Sequence, residues 1–326
     1  MTDLKQKILT AVQDDLVAIE QALADHLVPH FDLVRQVAGH LLFAGGKRLR
    51  PLLMLLCSRL CGYRGHESVR HAIIFEYLHA ATLIHDDVVD GGTLRRGKTA
   101  AHHVWDPPTA VLTGDFLLAR ALTLAARTEL PEVINVIAGI TEYMSQGEIH
   151  QLAHKGDVAF TEADYLEVIR CKTAVLFQGA CKVGALIARA PKPRCRALAD
   201  YGLHLGMAFQ MADDLLDYTQ STNNLGKMAG TDLLEGKLTL PVIHTLQKVS
   251  EQDRLWIESL IRAQTFTPAQ LEQLIGLLTQ SGGIDYTRDC AAAHMQLARE
   301  ALTDFDPCAA RDVLLDIVDY AWARTT

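Results

Sequence analysis

The sequence contains no long uninterrupted apolar run, no Cys-x-x-Cys pair and few stretches in which apolar and polar residues alternate. No run approaches the ~18 apolar residues of a membrane span, so no transmembrane segment is expected. The seven cysteines are odd in number and scattered through apolar segments, which favours reduced core thiols over disulfides. Alternating segments rich in Val, Ile and Thr are scarce, which argues against a β-sheet protein.

The chain also lacks an excess of basic residues, since 31 Lys and Arg face 39 Asp and Glu for a formal charge of −8. This balance disfavours general binding to nucleic acid, so an anionic ligand would have to be bound locally. Residues 1–7 contain no hydrophobic signal region, and a cytoplasmic location is expected. With 326 residues, of which 49% are hydrophobic, the chain is long enough for a large core.

Apolar residues recur at helical spacing through nearly the whole sequence, which predicts an all-α fold. Thr267-Pro268 and Asp306-Pro307 each place a capping residue before a proline, as at the start of a helix. The longest predicted helices cover residues 3–25, 67–90, 131–153, 162–189 and 194–218. Because the breaks between helices are too short for linkers, we expect one large helical bundle domain over residues 1–326.

The first aspartate cluster, Asp86, Asp87 and Asp90, closes a long apolar helix that Gly91-Gly92 then ends. Asp86 and Asp90 are one helical turn apart, so their carboxylates project from the same face. The helix dipole is already negative at this end, where cationic side chains are preferred. Three carboxylates at this position therefore require a positive partner.

The second aspartate cluster, Asp213, Asp214 and Asp217, ends another apolar helix. One such cluster is compatible with a solvated surface turn, but two of them favour a shared site. If the helix ends face each other, repulsion among the carboxylates requires divalent cations. All-oxygen ligation favours Mg²⁺, which binds through a few carboxylates together with substrate phosphates. A diphosphate ligand is therefore expected.

Cationic residues stand beside glycines in segments that flank the two clusters: GGKRLR (45–50), RRG (95–97), GK (226–227) and GK (236–237). Glycines let the backbone approach phosphate oxygens, and Arg offers paired donors. Each segment alone is weak evidence for a phosphate site, because a charged loop is usually just solvated. Their order around the two clusters favours a diphosphate site. Residues 92–99 fit the pattern GxxxxGK[ST], but a P-loop is disfavoured because no parallel sheet is predicted.

Over nearly its whole length the sequence resembles the trans-isoprenyl diphosphate synthases, or polyprenyl synthetases. The resemblance rests on GGKRLRP (45–51), LIHDDVVDGGTLRRG (83–97), AVLTGDFLLARA (110–121), KTA (172–174), FQMADDLLDY (209–218) and GKMAGTDLLEGKLTLP (226–241). It implies an all-α isoprenoid synthase fold with a deep central cavity, and commonly a homodimer. It also implies a prenyltransferase that condenses isopentenyl diphosphate head-to-tail with an allylic diphosphate such as farnesyl diphosphate.

The same resemblance implies roles for individual residues. Three Mg²⁺ ions are expected on the allylic diphosphate, held by Asp86, Asp90 and Asp213 and supported by Asp87, Asp214 and Asp217. The residues expected to bind that diphosphate are Arg95, Lys172, Lys227 and Lys237, and the residues expected to bind isopentenyl diphosphate are Lys47, Arg50, His79 and Arg96. Thr173 and Gln210 are expected near the reacting carbons. The alternatives are a packing amide for Gln210 and a core histidine for His79.

The growing product is expected to run along the apolar helix that ends at Asp86. Ala81 and Thr82 lie about one turn, ~5–7 Å, below the metals, and both are small. Short-chain members of the family typically carry an aromatic residue at this level. Its absence implies a product longer than 15 or 20 carbons. We expect about 30–50 carbons, with octaprenyl as the central expectation by resemblance to quinone-side-chain synthases. Leu78 and Tyr77, a further turn down, are either a later obstacle or core residues.

Three other interpretations stay open. A geranylgeranyl or farnesyl diphosphate synthase would make a shorter product. A class I terpene cyclase usually carries an Asn/Ser/Glu pattern at the second motif, where this chain has DDLLD (213–217). A non-catalytic subunit of a heteromeric synthase would be expected to lose aspartates or basic residues, and none is missing. For product release, a transient membrane contact is expected.

Overall fold

The computed structural model describes residues 2–65, 67–219 and 230–323, and most of these residues are helical. The expected all-α fold is confirmed. The helices, in chain order, are α1 Thr2–Ala11, α2 Gln13–His26, α3 Asp32–Leu42, α4 Leu49–Leu60, α5 Ser68–Val89, α6 Ala101–Val104, α7 Pro107–Ala126, α8 Pro131–Ala153, α9 Glu162–Ile169, α10 Val175–Ile187, α11 Lys192–Thr219, α12 Thr231–Leu234, α13 Leu240–Leu246, α14 Glu251–Ala263, α15 Pro268–Gln280, α16 Gly283–Ala301 and α17 Ala309–Trp322.

Two non-α elements lie beside the predicted site residues. A π-helical turn, Arg170–Ala174, joins α9 to α10. Strands β1 (Leu94–Arg95) and β2 (Lys98–Thr99) form an antiparallel hairpin after α5, with Leu94 opposite Thr99. The hairpin places Arg95 and Arg96 directly beyond the first aspartate cluster.

Several helix ends follow the predicted signals. Thr267 forms a capping box with Gln270 at the start of α15, and Pro268 occupies its first turn, as predicted. Just after the C-terminal end of α5, Gly91 takes a positive φ of 66°, and Gly92 N–H donates to the Asp87 carbonyl at 3.0 Å. The two glycines therefore end α5 as expected.

Three predicted boundaries are wrong. The helix predicted over 3–25 is two helices, α1 and α2, which meet at Val12. The helix predicted over 162–189 is interrupted by the π-helical turn. The last helix begins at Ala309, because Cys308 rather than Asp306 occupies its N-cap position. Hydrophobic periodicity places helices well, but it does not resolve a register change within a continuous apolar pattern.

The two helices that carry the aspartate clusters belong to two adjoining core clusters. Buried residues of α5 pack with those of α2, α3 and α7, and buried residues of α11 pack with those of α16 and α17. Helices α4 and α10 contribute to both groups, because each lies between them and buries opposite faces. Burial on both sides explains why α4 and α10 are apolar nearly all round.

Glycines allow the close helix contacts that position the site. A Cβ on Gly206 of α11 would lie 2.6 Å from the Cα of Ala174. A Cβ on Gly184 of α10 would lie 2.5 Å from the carbonyl oxygen of Met54 in α4. Only glycine permits these approaches, which bring the π-helical turn against the segment of α11 that precedes the second aspartate cluster.

Over the described ranges, α7 is the one helix that is long and apolar enough to cross a membrane. Of its most apolar stretch, 39% is buried inside the structure, against α5, α8 and α3. This is weak support for a membrane span, because core helices of globular proteins meet the same criterion.

Candidate active site

The ends of α5 and α11 open onto the same cavity, which has a volume of about 870 Å³. Ten of the residues predicted to do chemistry or bind substrate line it: Lys47, Arg50, His79, Asp86, Arg95, Arg96, Lys172, Thr173, Gln210 and Asp213. The lining does not include Asp87, Asp90, Asp214, Asp217 or Lys237. Lys227 lies outside the described residues.

In the first aspartate cluster, each carboxylate has a different partner. Lys155 Nζ and Lys237 Nζ donate to the two oxygens of Asp90 at 2.8 and 2.9 Å. Burial opposes ionisation of Asp90, yet these two lysines lower its pKa to about 2. For Asp86, burial raises the pKa to about 6, and Glu148 and Asp90 add to this effect against Lys172. Asp86 therefore carries negative charge that the protein only partly balances.

Asp87 is buried and held by Arg95, whose Nε donates to its Oδ1 at 2.8 Å. Arg95 lines the cavity as predicted, but in this arrangement its guanidinium is bonded to the aspartate cluster. This contact ties the β-hairpin to the end of α5. Arg95 thus contacts the aspartate cluster and also borders the cavity.

The carboxylates of the second aspartate cluster also differ from one another in their surroundings. Asp213 lines the cavity, while the Asp214 carboxylate is buried and accepts hydrogen bonds from Tyr165 Oη at 2.6 Å and Gln210 Nε2 at 2.8 Å. Burial, followed by the charge of Asp232, raises the pKa of Asp214 to about 8.

Asp217 faces away from the large cavity and accepts a hydrogen bond from the backbone N–H of Asp232 at 3.0 Å. Because Asp232 lies in the first turn of α12, this bond fixes the chain where it returns after the second cluster.

Gln210 is held at both ends of its amide group. Its Nε2 donates to Asp214, and its Oε1 accepts from Thr173 Oγ1 at 2.8 Å. Both Thr173 and Gln210 line the cavity. Of the two alternatives for Gln210, an oriented dipole at the cavity wall describes it better than an ordinary packing amide.

Lys47, Arg50, His79 and Arg96, here called the cation clamp, lie together on the cavity wall. The Arg50 guanidinium stacks 4.8 Å over the Phe177 ring, and its buried Nε has no hydrogen-bond partner among the described residues. Burial lowers the pKa of Arg50 to about 10. Burial and the neighbouring arginines, Arg50 first, hold the pKa of His79 well below its ordinary value. A buried cationic donor left unpaired calls for an anionic ligand.

The rest of the cavity wall is less charged. Helix α5 contributes Leu78, Ala81 and Thr82, and α7 and α8 contribute Leu118, Thr141, Met144 and Ser145. Tyr77 is fully buried, and its hydroxyl donates to the Leu23 carbonyl at 2.8 Å. Of the two alternatives for these residues, Leu78 lines the cavity and Tyr77 is a core residue that does not.

Several site residues were missed by the sequence analysis: Glu76, Glu148, Gln151, Lys155 and Tyr165. On α8, Glu148 pairs with Lys172, and Gln151 Oε1 accepts a hydrogen bond from Lys172 Nζ at 3.0 Å. Glu148 and Gln151 lie three residues apart on α8, and Lys155 follows just beyond its end, so polar residues at helical spacing were a usable signal. For Glu76, the signal was an acidic residue within a run of apolar residues.

Carboxylate oxygens are suitable ligands for a hard divalent cation, but these carboxylates do not form a complete coordination site. Among the residues that the structure describes, no three His, Cys, Asp or Glu side chains converge as a ready-made ligand set. Mg²⁺ does not require one, because it binds through one or two carboxylates together with substrate phosphates. Glu148 Oε1, buried and without a hydrogen-bond partner in the described part of the chain, adds to the unbalanced negative charge beside Asp86. The donor set is thus consistent with a metal that arrives with its diphosphate.

A family model described as polyprenyl synthetase matches residues 31–278. The chain belongs to the polyprenyl synthetase family. It is therefore a prenyltransferase, and its all-α fold is that of the family's solved structures.

Relatives match over nearly the full length of both chains. An all-trans-nonaprenyl-diphosphate synthase (geranyl-diphosphate specific) of Rhodobacter capsulatus is 38% identical over 99% of this chain and 98% of its own. An octaprenyl diphosphate synthase of Escherichia coli (strain K12) is 33% identical over 98% of each chain. A polyprenyl synthase from Caulobacter crescentus CB15, solved with calcium and isoprenyl diphosphate, has a TM-score of 0.92 at 38% identity and covers 98% of each chain.

The unpaired Arg50 donor generates a direct prediction. Inorganic diphosphate, added with EDTA to remove metals, should raise the melting temperature of the protein by binding at the cation clamp. Arg50→Gln should weaken that binding about tenfold or more, because it removes a charge-assisted donor from a buried site. The measurement is a thermal-shift titration, with Arg262→Gln, an exposed arginine on α14, as the control. Equal affinity in wild type and Arg50→Gln would contradict the assignment.

Proposed function

We propose that this protein is a long-chain all-trans polyprenyl diphosphate synthase. It condenses isopentenyl diphosphate head-to-tail with an allylic diphosphate such as farnesyl diphosphate, and the 326 residues act as one domain. The observation that carries the proposal is one cavity lined both by carboxylates at the ends of α5 and α11 and by the cation clamp. We assign the carboxylates, with their metals, to the allylic diphosphate and the clamp to isopentenyl diphosphate.

Asp86, Asp90 and Asp213 are the proposed metal ligands, with Asp87, Asp214 and Asp217 holding the surrounding structure. We propose Mg²⁺, three ions when the diphosphate is bound, because all-oxygen donors favour a hard cation. The calcium and isoprenyl diphosphate of the Caulobacter crescentus structure support a divalent metal beside a prenyl diphosphate. When bound, the metal would supply positive charge to the leaving diphosphate. Lys155 and Lys237 now neutralise Asp90, and they would be shared with the phosphate oxygens.

The chemistry then follows from the charges. Lys172, Lys237 and Arg95, together with Lys227, stabilise the departing diphosphate while its carbon–oxygen bond breaks to give an allylic cation. Oxygen dipoles of Thr173 and Gln210 face that cation. The cation clamp holds the diphosphate of isopentenyl diphosphate, and the double bond of that substrate attacks the allylic cation to form the new carbon–carbon bond. The proton then lost is accepted by the released diphosphate, because no side chain of these motifs is an evident base.

Product length is proposed to follow from the small residues below the first aspartate cluster. Ala81 and Thr82 line the cavity without obstructing it, and the wall continues to Leu118 and Met144. The nonaprenyl and octaprenyl relatives support a product in the range of about 30–50 carbons, with octaprenyl as the central value. A shorter-chain product is disfavoured because no aromatic side chain stands at positions 81 or 82.

We further propose a cytoplasmic homodimer that contacts a membrane only to release its product. Apolar side chains are exposed along α7 and α8, with Leu112 and Ile149 each 66% exposed. Ile149 also borders the cavity, so a second copy against this face would cover part of its wall. A non-catalytic subunit is disfavoured because both aspartate clusters and the clamp are complete.

The proposal is tested by incubating the purified protein alone with Mg²⁺, farnesyl diphosphate and labelled isopentenyl diphosphate. The dephosphorylated products are then resolved by length. A ladder that ends in one dominant long polyprenol is expected. Termination after a single addition would instead favour a geranylgeranyl synthase, and no incorporation with any allylic primer would favour an inert subunit.

Ala81→Phe should shorten the product. An aromatic ring about one turn below the metals would close the cavity before the chain reaches its normal length. The length distribution is measured by the same assay, with Ala293→Phe on the exposed side of α16 as the matched control. An unchanged distribution in Ala81→Phe would refute the model of the cavity wall.

A further inference from the structure

Glu76 is an acidic residue in the middle of the buried part of α5, where its neighbours in sequence are apolar. It is 2% exposed, lies one turn before His79 and borders the cavity beside the cation clamp. A buried carboxylate is costly unless it is paired. The residues that pair with Glu76 therefore indicate its role.

The partners of Glu76 are two arginines on different segments. Arg48 Nη1 donates to Glu76 Oε1 at 2.6 Å, and Arg96 Nη2 lies 3.7 Å from the same oxygen. Arg48 is itself buried, with a left-handed φ of 47°, and also bonds Glu20 and the Leu42 carbonyl. Glu76 thus joins the residue that precedes α4 to the β-hairpin that follows α5.

The same two arginines enclose the glycine loop before Lys47. Arg96 Nη1 donates to the Gly45 carbonyl. A Cβ on Gly46 would lie 3.1 Å from Nη1 of both Arg48 and Arg96, so the loop passes between the two guanidinium groups. The position of Lys47 therefore depends on how Glu76 holds these arginines.

Charge distribution leads to the same conclusion. The cavity wall at this point carries Arg48, Arg50, Arg96 and Lys47, and the negative charge of Glu76 acts on all three arginines. One carboxylate shared between Arg48 and Arg96 reduces their repulsion but leaves the group with net positive charge. That surplus suits a diphosphate better than a fully neutralised cluster would.

We propose that Glu76 is a positioning residue for isopentenyl diphosphate, which holds Arg96 and the Gly45–Lys47 loop in the geometry that binds it. The inference rests on the proposed function, because it assigns the cation clamp to the non-allylic substrate. Glu76 acts through the arginines and not by touching the reacting carbons. Its loss should therefore affect one substrate more than the other.

The test is Glu76→Gln, which keeps the size of the side chain and removes its charge. The KM for isopentenyl diphosphate should rise about tenfold or more, because a buried ion pair that orders the clamp is broken. The KM for farnesyl diphosphate should stay within about twofold, and kcat should change less than the first KM. The matched control is Glu20→Gln, since Glu20 bonds the same Arg48 but is 45% exposed and does not border the cavity. It should leave both KM values within about twofold.

Equal increases in both KM values, or a lower melting temperature with an unchanged KM for isopentenyl diphosphate, would overturn the proposal. If Glu76→Gln does not fold, Glu76→Asp keeps the charge but withdraws it by one methylene. It should give a smaller increase confined to the KM for isopentenyl diphosphate, and a change equal for both substrates would count against the idea.

Failure of the proposed function is distinguishable from failure of this inference. If the wild-type protein does not condense the substrates at all, the proposed function fails by itself. Calorimetric binding of isopentenyl diphosphate without turnover then tests the inference. Wild type should bind about tenfold more tightly than Glu76→Gln, and equal affinities would overturn the role of Glu76.

Discussion

The structure depends on the separation of opposite charges around one apolar cavity. Carboxylates gather at the C-terminal ends of α5 and α11, where the helix dipoles make further negative charge unfavourable. The protein offsets part of this cost with its own cations: Arg95 on Asp87, and Lys155 and Lys237 on Asp90. On the other side of the cavity, Arg50 keeps a buried donor that no described residue pairs. Both sides are thus incompletely neutralised, and a metal–diphosphate complex and a second diphosphate would complete them.

The buried polar residues behind the cavity wall give this charge distribution its geometry. Tyr165 and Asp214 orient the Gln210 amide toward Thr173, and Glu76 joins Arg48 to Arg96. Such networks stabilise the fold only when every member has a hydrogen-bond partner, because an unpaired polar group is costly in the low dielectric of the interior. Two atoms left unpaired within the described ranges, Arg50 Nε and Glu148 Oε1, lie on residues that line the cavity. They mark where a ligand belongs.

The sequence predicted the all-α fold because helical periodicity is strong almost everywhere, and it predicted the shared site because two aspartate clusters repeat at helix ends. It did not separate Leu78 from Tyr77, because adjacent helix positions face different neighbours that periodicity alone does not identify. Glu76 and Lys155 were missed for a related reason. Their importance comes from Arg48, Arg96 and Asp90, which are distant in sequence and meet only in the folded chain.

The most direct test of the central claim measures how metal affects the binding of each substrate separately. Calorimetric titrations with isopentenyl diphosphate, and with a farnesyl thiodiphosphate that ionises too slowly to react, are compared in EDTA and in Mg²⁺. Two different diphosphate sites predict that isopentenyl diphosphate binds with or without Mg²⁺, whereas the farnesyl analogue binds tightly only with Mg²⁺. The same metal dependence for both ligands would contradict the account.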